Sequence, residues 1–165
     1  MRATFLTMLA VGALAGCHHA TPVAEPKPES ILSPVITLER TACMGRCPVY
    51  TLAIERTGAV RFDGKQFVQH AGPHNANIPP TAVDSLVAEL TAGGFFDFVD
   101  RYSYGAPACG RYATDLPSAI VSVTDSIRTK RVEHDYGCTD APAVLARLEK
   151  RIDEVAGTAT WIGER

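Results

Sequence analysis

From residue 35 onward the chain alternates apolar and polar side chains in short runs, the period-two pattern of strands with one buried face. Residues 35–40, VITLER, set Ile36 and Leu38 against Thr37 and Glu39. Tyr50, Leu52 and Ile54 repeat the pattern, Arg56-Thr57-Gly58 turns the chain, and Val60 with Phe62 marks a third strand. Asp63-Gly64 has the composition of a tight hairpin turn, because both residues tolerate positive φ. That places a fourth strand around Gln66–His70 and leaves the stretch HAGPHNANIPP as loop.

The spacing then becomes helical. Val83, Leu86, Val87 and Leu90 fall on one face of a helix opened by Thr81 or the prolines before it. Gly93-Gly94 closes that helix, and Phe95, Phe96 and Phe98 are expected to bury beneath its exit. A second hairpin is expected over Ser118–Asp135 with Asp125-Ser126 near its turn. Asp140 and Ala141-Pro142 start a last helix, whose stripe of Val144, Leu145, Leu148, Ile152 and Val155 runs to Gly157. Strands joined by tight turns predict an α+β domain over residues 35–157. Its expected architecture is an antiparallel sheet of about six strands (a four-strand meander, helix, hairpin, helix) with both helices on one face. Residues 158–165 read as a C-terminal tail.

Ahead of this domain the pattern is different. Met1-Arg2 carries one positive charge, and Ala3–Gly16 carries none. That run is shorter than the roughly 20 apolar residues of a spanning helix. A positive start, a short apolar middle and small residues at the end predict a removable secretory signal over residues 1–16. Leu14-Ala15-Gly16-Cys17 resembles the lipobox of bacterial lipoproteins, in which the cysteine thiol is acylated and the chain is cut just before it. The resemblance implies a lipid on Cys17. Several buried acyl chains, each CH2 contributing about 0.8 kcal/mol, make such an anchor durable. Residues 17–34 hold Pro22, Pro26, Pro28 and Pro34 without periodicity, the composition of a semi-rigid tether. By analogy with sorting in enteric bacteria, His18 in place of Asp after the lipid cysteine favours the outer membrane.

Charge narrows the partners. The 165 residues include 16 Lys or Arg and 18 Asp or Glu, a formal charge of −2 that gives no electrostatic case for nucleic acid. The expected partners are the membrane, through the N-terminal lipid, and an envelope protein or a small-molecule ligand. The sequence holds no Gly-x-Ser-x-Gly elbow, phosphate loop or His-Glu-x-x-His, so no reaction and no cofactor is indicated.

With Cys17 lipidated, Cys43, Cys47, Cys109 and Cys138 remain, and an even number outside the cytoplasm reads first as two disulfides. Position favours Cys43–Cys47, where Gly45 lets the chain curl back. It also favours Cys109–Cys138, which flank the returning hairpin. Loop entropy assigns about 3.6 kcal/mol to a bridge closing some 30 residues and about 2 kcal/mol to a five-residue ring.

The stretch Thr41-Ala-Cys-Met-Gly-Arg-Cys-Pro-Val-Tyr50, followed by a strand and Gly58, resembles the opening of the bacterial domain-of-unknown-function family numbered 6438. The likeness runs from about Ile36 to Ala156 and includes Thr114-Asp115-Leu116-Pro117 and the closing helix. It implies a fold and an extracytoplasmic address, and carries over no reaction or catalytic residue.

Cys43-Met-Gly-Arg-Cys47-Pro48 is also similar to the copper site of Sco-type cytochrome oxidase assembly proteins. Soft thiolates suit Cu(I), and His70, His74 or Met44 could complete such a site. Those proteins have a thioredoxin-like fold with parallel strands, whereas this chain reads antiparallel. His70-Ala-Gly-Pro-His74 has the spacing of two ligands on a helix, yet Gly72 and Pro73 deny it helical geometry. Tyr102, Tyr104 and Tyr112, with Asp97, Asp100, Arg111 and Asp115, crowd the segment around Cys109. That segment is either a binding surface or a loop packing its rings on its own disulfide. The leading expectation is a lipid-anchored binding or envelope-structural domain. The alternative is a periplasmic copper-binding or thiol-redox protein built on Cys43 and Cys47.

Overall fold

A computed structural model describes residues 34–163. The signal segment, Cys17, the tether up to residue 33 and residues 164–165 lie outside them. The elements are β1 (Pro34–Arg40), β2 (Val49–Glu55), β3 (Ala59–Gln66), β4 (Gly72–Asn77), α1 (Pro80–Ala92), β5 (Arg101–Tyr102), β6 (Ser118–Thr124), β7 (Thr129–Asp135), α2 (Ala143–Ala156) and α3 (Ala159–Ile162). The seven strands form one sheet in the order β4-β3-β2-β1-β6-β7-β5. The fold is α+β with a mixed sheet.

Alternation sorts the side chains of this sheet into rows on the face that the helices cover. One row runs Ile36, Ile54, Val60 and Val123, and the next Leu38, Leu52, Phe62, Val121 and Val132. All are buried against Val83, Leu86 and Leu90 of α1 and Leu145, Leu148 and Ile152 of α2. The opposite face is polar, with Glu39, Thr51, Arg61 and Arg131 exposed. Prolines open both helices, where a missing N–H does no harm, and Gly94 (φ 79°) and Gly157 (φ 70°) supply the left-handed exits. Phe95 is buried at the exit of α1, with Phe96 and Phe98 packed on the core. The β6–β7 hairpin falls where expected, with Asp125 accepting from the backbone N–H groups of Ile127 and Arg128 at 2.8 and 2.9 Å.

Four expectations are corrected. Asp63-Gly64 is not a turn: β3 runs through it, pairing Gly64 with Tyr50 on one side and Gly72 on the other. Gly64 serves close approach, since a Cβ there would sit 2.6 Å from the His70 carbonyl oxygen and 2.8 Å from Val68. The chain turns later, at Phe67 (φ 52°), so the fourth strand is Gly72–Asn77, inside the stretch read as loop. The sheet has seven strands, because Arg101 and Tyr102 add to β7 in parallel. Nor do residues 158–163 trail as a tail. Carbonyls of Trp161 and Ile162 accept from the N–H groups of His70 and Gln69 at 2.9 and 3.1 Å, tying α3 to the β3–β4 turn. The Trp161 ring stacks on Phe62 with centroids 4.9 Å apart.

Candidate functional site

The next row of the covered face breaks the apolar pattern. In register with one another stand Arg40 (β1), Tyr50 (β2), Gly64 (β3), Ala119 (β6) and His134 (β7). Above them α2 sets Glu149 and Asp153 on the same side as its apolar stripe, four residues after Leu145 and Glu149 respectively. Glu149 is 1% exposed and His134 4%. Ionisable groups this deep require partners, and they have them. Arg40 donates from one nitrogen to Asp153 Oδ2 at 2.8 Å and from the other to the Tyr136 hydroxyl. Tyr136 in turn donates to Glu149 Oε2 at 2.6 Å, and His134 Nδ1 faces Glu149 Oε1 at 2.8 Å. Tyr50 donates to Asp153 Oδ1, which also accepts from Thr158 Oγ1 at 3.1 Å. The result is one connected network reaching from β7 to the start of α3.

The network fixes the state of its members. Burial pushes the Tyr136 hydroxyl up to about 12, with Arg40 opposing and Glu149 assisting. Burial, then the Asp153 charge, raises Tyr50 further. For Arg40 burial opposes the charge, but Asp153 and the two tyrosines outweigh it and hold its pKa above the ordinary range.

This network floors a cavity of about 560 Å³, walled by Cys47, Pro48, Pro117, Ala146 and Ile162 and edged by Lys150 and Glu154. A second cavity of about 530 Å³ adjoins it, sharing Pro48, Ile162 and Gly163 and extending to Arg46, Phe67 and Gln69. Its half-exposed Phe67 lies under the Arg46 guanidinium, 5.9 Å from the ring centre. A third hollow beside β5, lined by Val99, Arg101 and Ala106–Ala108, contains one charged group and none of the network.

Both cysteine pairs are bonded as position suggested, Cys43 to Cys47 and Cys109 to Cys138, with Cα separations of 5.7 and 5.4 Å. The small ring stands on the cavity rim through Cys47, with Met44 81% exposed at its tip. Its backbone is tied to the Thr114–Pro117 segment, the Met44 N–H donating to the Asp115 carbonyl at 3.0 Å. The two segments that prompted the family resemblance therefore meet at one cavity.

His70 and His74 do come together, with ring centroids 5.8 Å apart beside Trp161. Cys43 and Cys47 are bonded to each other, however, and among the described residues no three His, Cys, Asp or Glu side chains form a metal-holding group. Around Cys109 the segment splits. Tyr102 is buried, edge-on to His134, while Tyr104 and Tyr112 lie on the surface with ring centroids 5.2 Å apart. Tyr112 donates to Asp135 at 2.8 Å, Arg111 forks onto Asp140, and Asp100 pairs with Lys130. The loop packs on the domain through its own disulfide, ion pairs and rings, well away from the cavity.

Reasoning from the sequence missed Arg40, Tyr136, Glu149 and Asp153 as site residues. A signal was available. Arg40 falls in phase with Ile36 and Leu38, His134 in phase with Val132, and Glu149 on the core face of α2. A charged residue continuing an apolar phase is the mark of a buried polar site.

The model of the family described as a domain of unknown function (DUF6438) matches residues 34–156. No curated protein matches the chain.

Proposed function

The chain belongs to this DUF6438 family, and from that premise we propose that the domain is an extracytoplasmic binding module. A lipid on Cys17 holds it to the bacterial cell envelope, at the outer membrane. Its ligand site is the cavity above Arg40, Tyr50, Tyr136 and Asp153.

The observation that carries the reading is a polar floor preorganised at the bottom of an open, largely apolar cavity. Pockets for small ligands combine apolar walls with a few fixed polar groups, and this one has both in a volume of about 560 Å³. The state of the floor favours holding over reacting. Both tyrosine protons are committed to carboxylates, and their raised pKa values make them poor bases or nucleophiles near neutral pH. The Cys43–Cys47 ring stiffens the rim. Two bridged cysteine pairs accord with an oxidising compartment, and so with the signal segment and Leu14-Ala15-Gly16-Cys17.

Two experiments test the proposal. The purified full chain in neutral detergent should respond to members of a small-fragment set through fluorescence of Trp161, the single tryptophan, whose neighbour Ile162 lines the cavity. Ala146→Trp, which fills the cavity from an accessible wall position, should abolish the response while the domain stays folded. Fragments that act equally on the filled variant contradict the reading. For the address, detergent partitioning and mass spectrometry of the amino terminus should find lipid on Cys17 and none in Cys17→Ala. An unlipidated wild-type chain contradicts it.

A further inference from the structure

We infer that the cavity above Arg40 and Asp153 receives a primary alkylammonium group, either a free amine or a lysine side chain. This rests on that cavity being the ligand site. Two carboxylates, Glu149 and Asp153, share one guanidinium on the floor, with Nη2 of Arg40 2.8 Å from Asp153 and Nη1 3.7 Å from Glu149. The charged groups at the rim do not supply the missing cation. Lys150 pairs with Glu154 at 3.5 Å, and Arg151 reaches the same Glu154 at 3.2 Å while also holding Glu89. The hydroxyl protons of Tyr50 and Tyr136 point into carboxylates, so what these groups still offer to an occupant is oxygen lone pairs. An occupant with three N–H donors and one positive charge complements that floor. A carboxylate or phosphate would bring a third negative charge beside the two already there. Above the floor the walls are apolar and narrow, formed by Pro48, Pro117, Ala146, Ile162 and the Cys47 end of the disulfide. They suit a methylene stem. A long amphipathic cation buries its stem and keeps its charge among polar atoms in the same way at protein surfaces.

Three probes with one apolar tail and different heads decide this: butylamine, butanol and butyrate, each titrated into the full chain in neutral detergent and followed by Trp161 fluorescence and by the Tyr50 and Tyr136 ring resonances. Butylamine should bind, butanol more weakly, and butyrate not at all. Lys150→Glu, at an exposed rim position, should tighten butylamine about threefold at low salt. Asp153→Asn should weaken it about tenfold, and the rim variant decides the matter if this one fails to fold. A blocked lysine, acetylated at its amine terminus and amidated at its carboxyl, separates the sources. Tighter binding than butylamine points to a polypeptide, and equal or weaker binding to a free amine. Butyrate binding as well as butylamine, or Lys150→Glu weakening the amine, overturns the inference while leaving the binding-module reading intact. If none of the probes, including the fragment set, reaches the cavity, both fall.

Discussion

The covered face of the sheet contains two environments separated by one step of the strands. Across Leu38, Leu52, Phe62, Val121 and Val132 the contact with the helices is wholly apolar. Two residues further along β1, the row of Arg40, Tyr50 and His134 meets Glu149 and Asp153, and every group is ionisable. Both rows are deep and both are satisfied, yet they bear on stability differently. Burying apolar area stabilises at roughly 25 cal/mol per Å². A buried ion pair does little more than break even, since desolvation offsets the attraction, and an apolar replacement of similar volume is often neutral or better. The apolar rows hold the fold. The polar row is there for what the cavity binds.

That division orders the expected effects. The largest lies in the apolar rows: Phe62→Ala should cost about 3–5 kcal/mol, because it removes a ring packed between Tyr50 and Trp161, at centroid distances of 5.0 and 4.9 Å. Denaturant melts measure this, and a loss below about 1 kcal/mol would mean that α3 does not pack on the sheet. The disulfides come next. Removing Cys138 opens a loop spanning 29 residues and should cost about 3.6 kcal/mol, whereas removing Cys47, with a separation of four, should cost about 2 kcal/mol. Only the second change should also loosen the cavity rim. Non-reducing peptide mapping must find these two bridges, and a crossed pair would break the comparison.

Half-removal of the polar row should act on a similar scale. Asp153→Ala leaves Arg40 and the Tyr50 hydroxyl without their acceptor and should cost about 2–3 kcal/mol, discounted from the fully buried case because the two side chains are 18% and 14% exposed. The smallest effect is electrostatic. Tyr136 has its folded pKa raised to about 12, and Tyr50 is also raised. A group raised on folding contributes stability that is complete below its unfolded value, near 10, and lost as pH climbs through the folded one. Melting temperature should therefore fall between pH 10 and 12, and less so in Tyr136→Phe. An unchanged profile in that variant would place the hydroxyl in solvent.

Much of the fold was legible because its elements obey local rules. The α1 and α2 stripes, their proline starts and glycine exits, the β6–β7 hairpin and both cysteine pairs follow from spacing and turn chemistry. What escaped was set by distant contacts. Asp63-Gly64 reads as a turn, yet Gly64 is required where Val68 and the His70 carbonyl close over the strand. β4 is short and polar and becomes a strand only because β3 offers it an edge, while α3 satisfies the turn between them. The site was hidden for a related reason. Arg40, Tyr136, Glu149 and Asp153 are 13 to 113 positions apart in their pairings, and no local pattern announces that they meet.

The central claim is that the polar row is kept for binding and not for stability. Arg40→Met, Tyr50→Phe, Glu149→Gln and Asp153→Leu combined in one chain remove the buried charges and leave acceptors for Tyr136 and His134. The decisive measurement is the unfolding free energy of that chain against wild type. We predict equal or greater stability, within about 1 kcal/mol or above, together with loss of every Trp161 response to cavity ligands. Destabilisation by several kcal/mol would show that the row is a structural element of the fold, and would contradict the account.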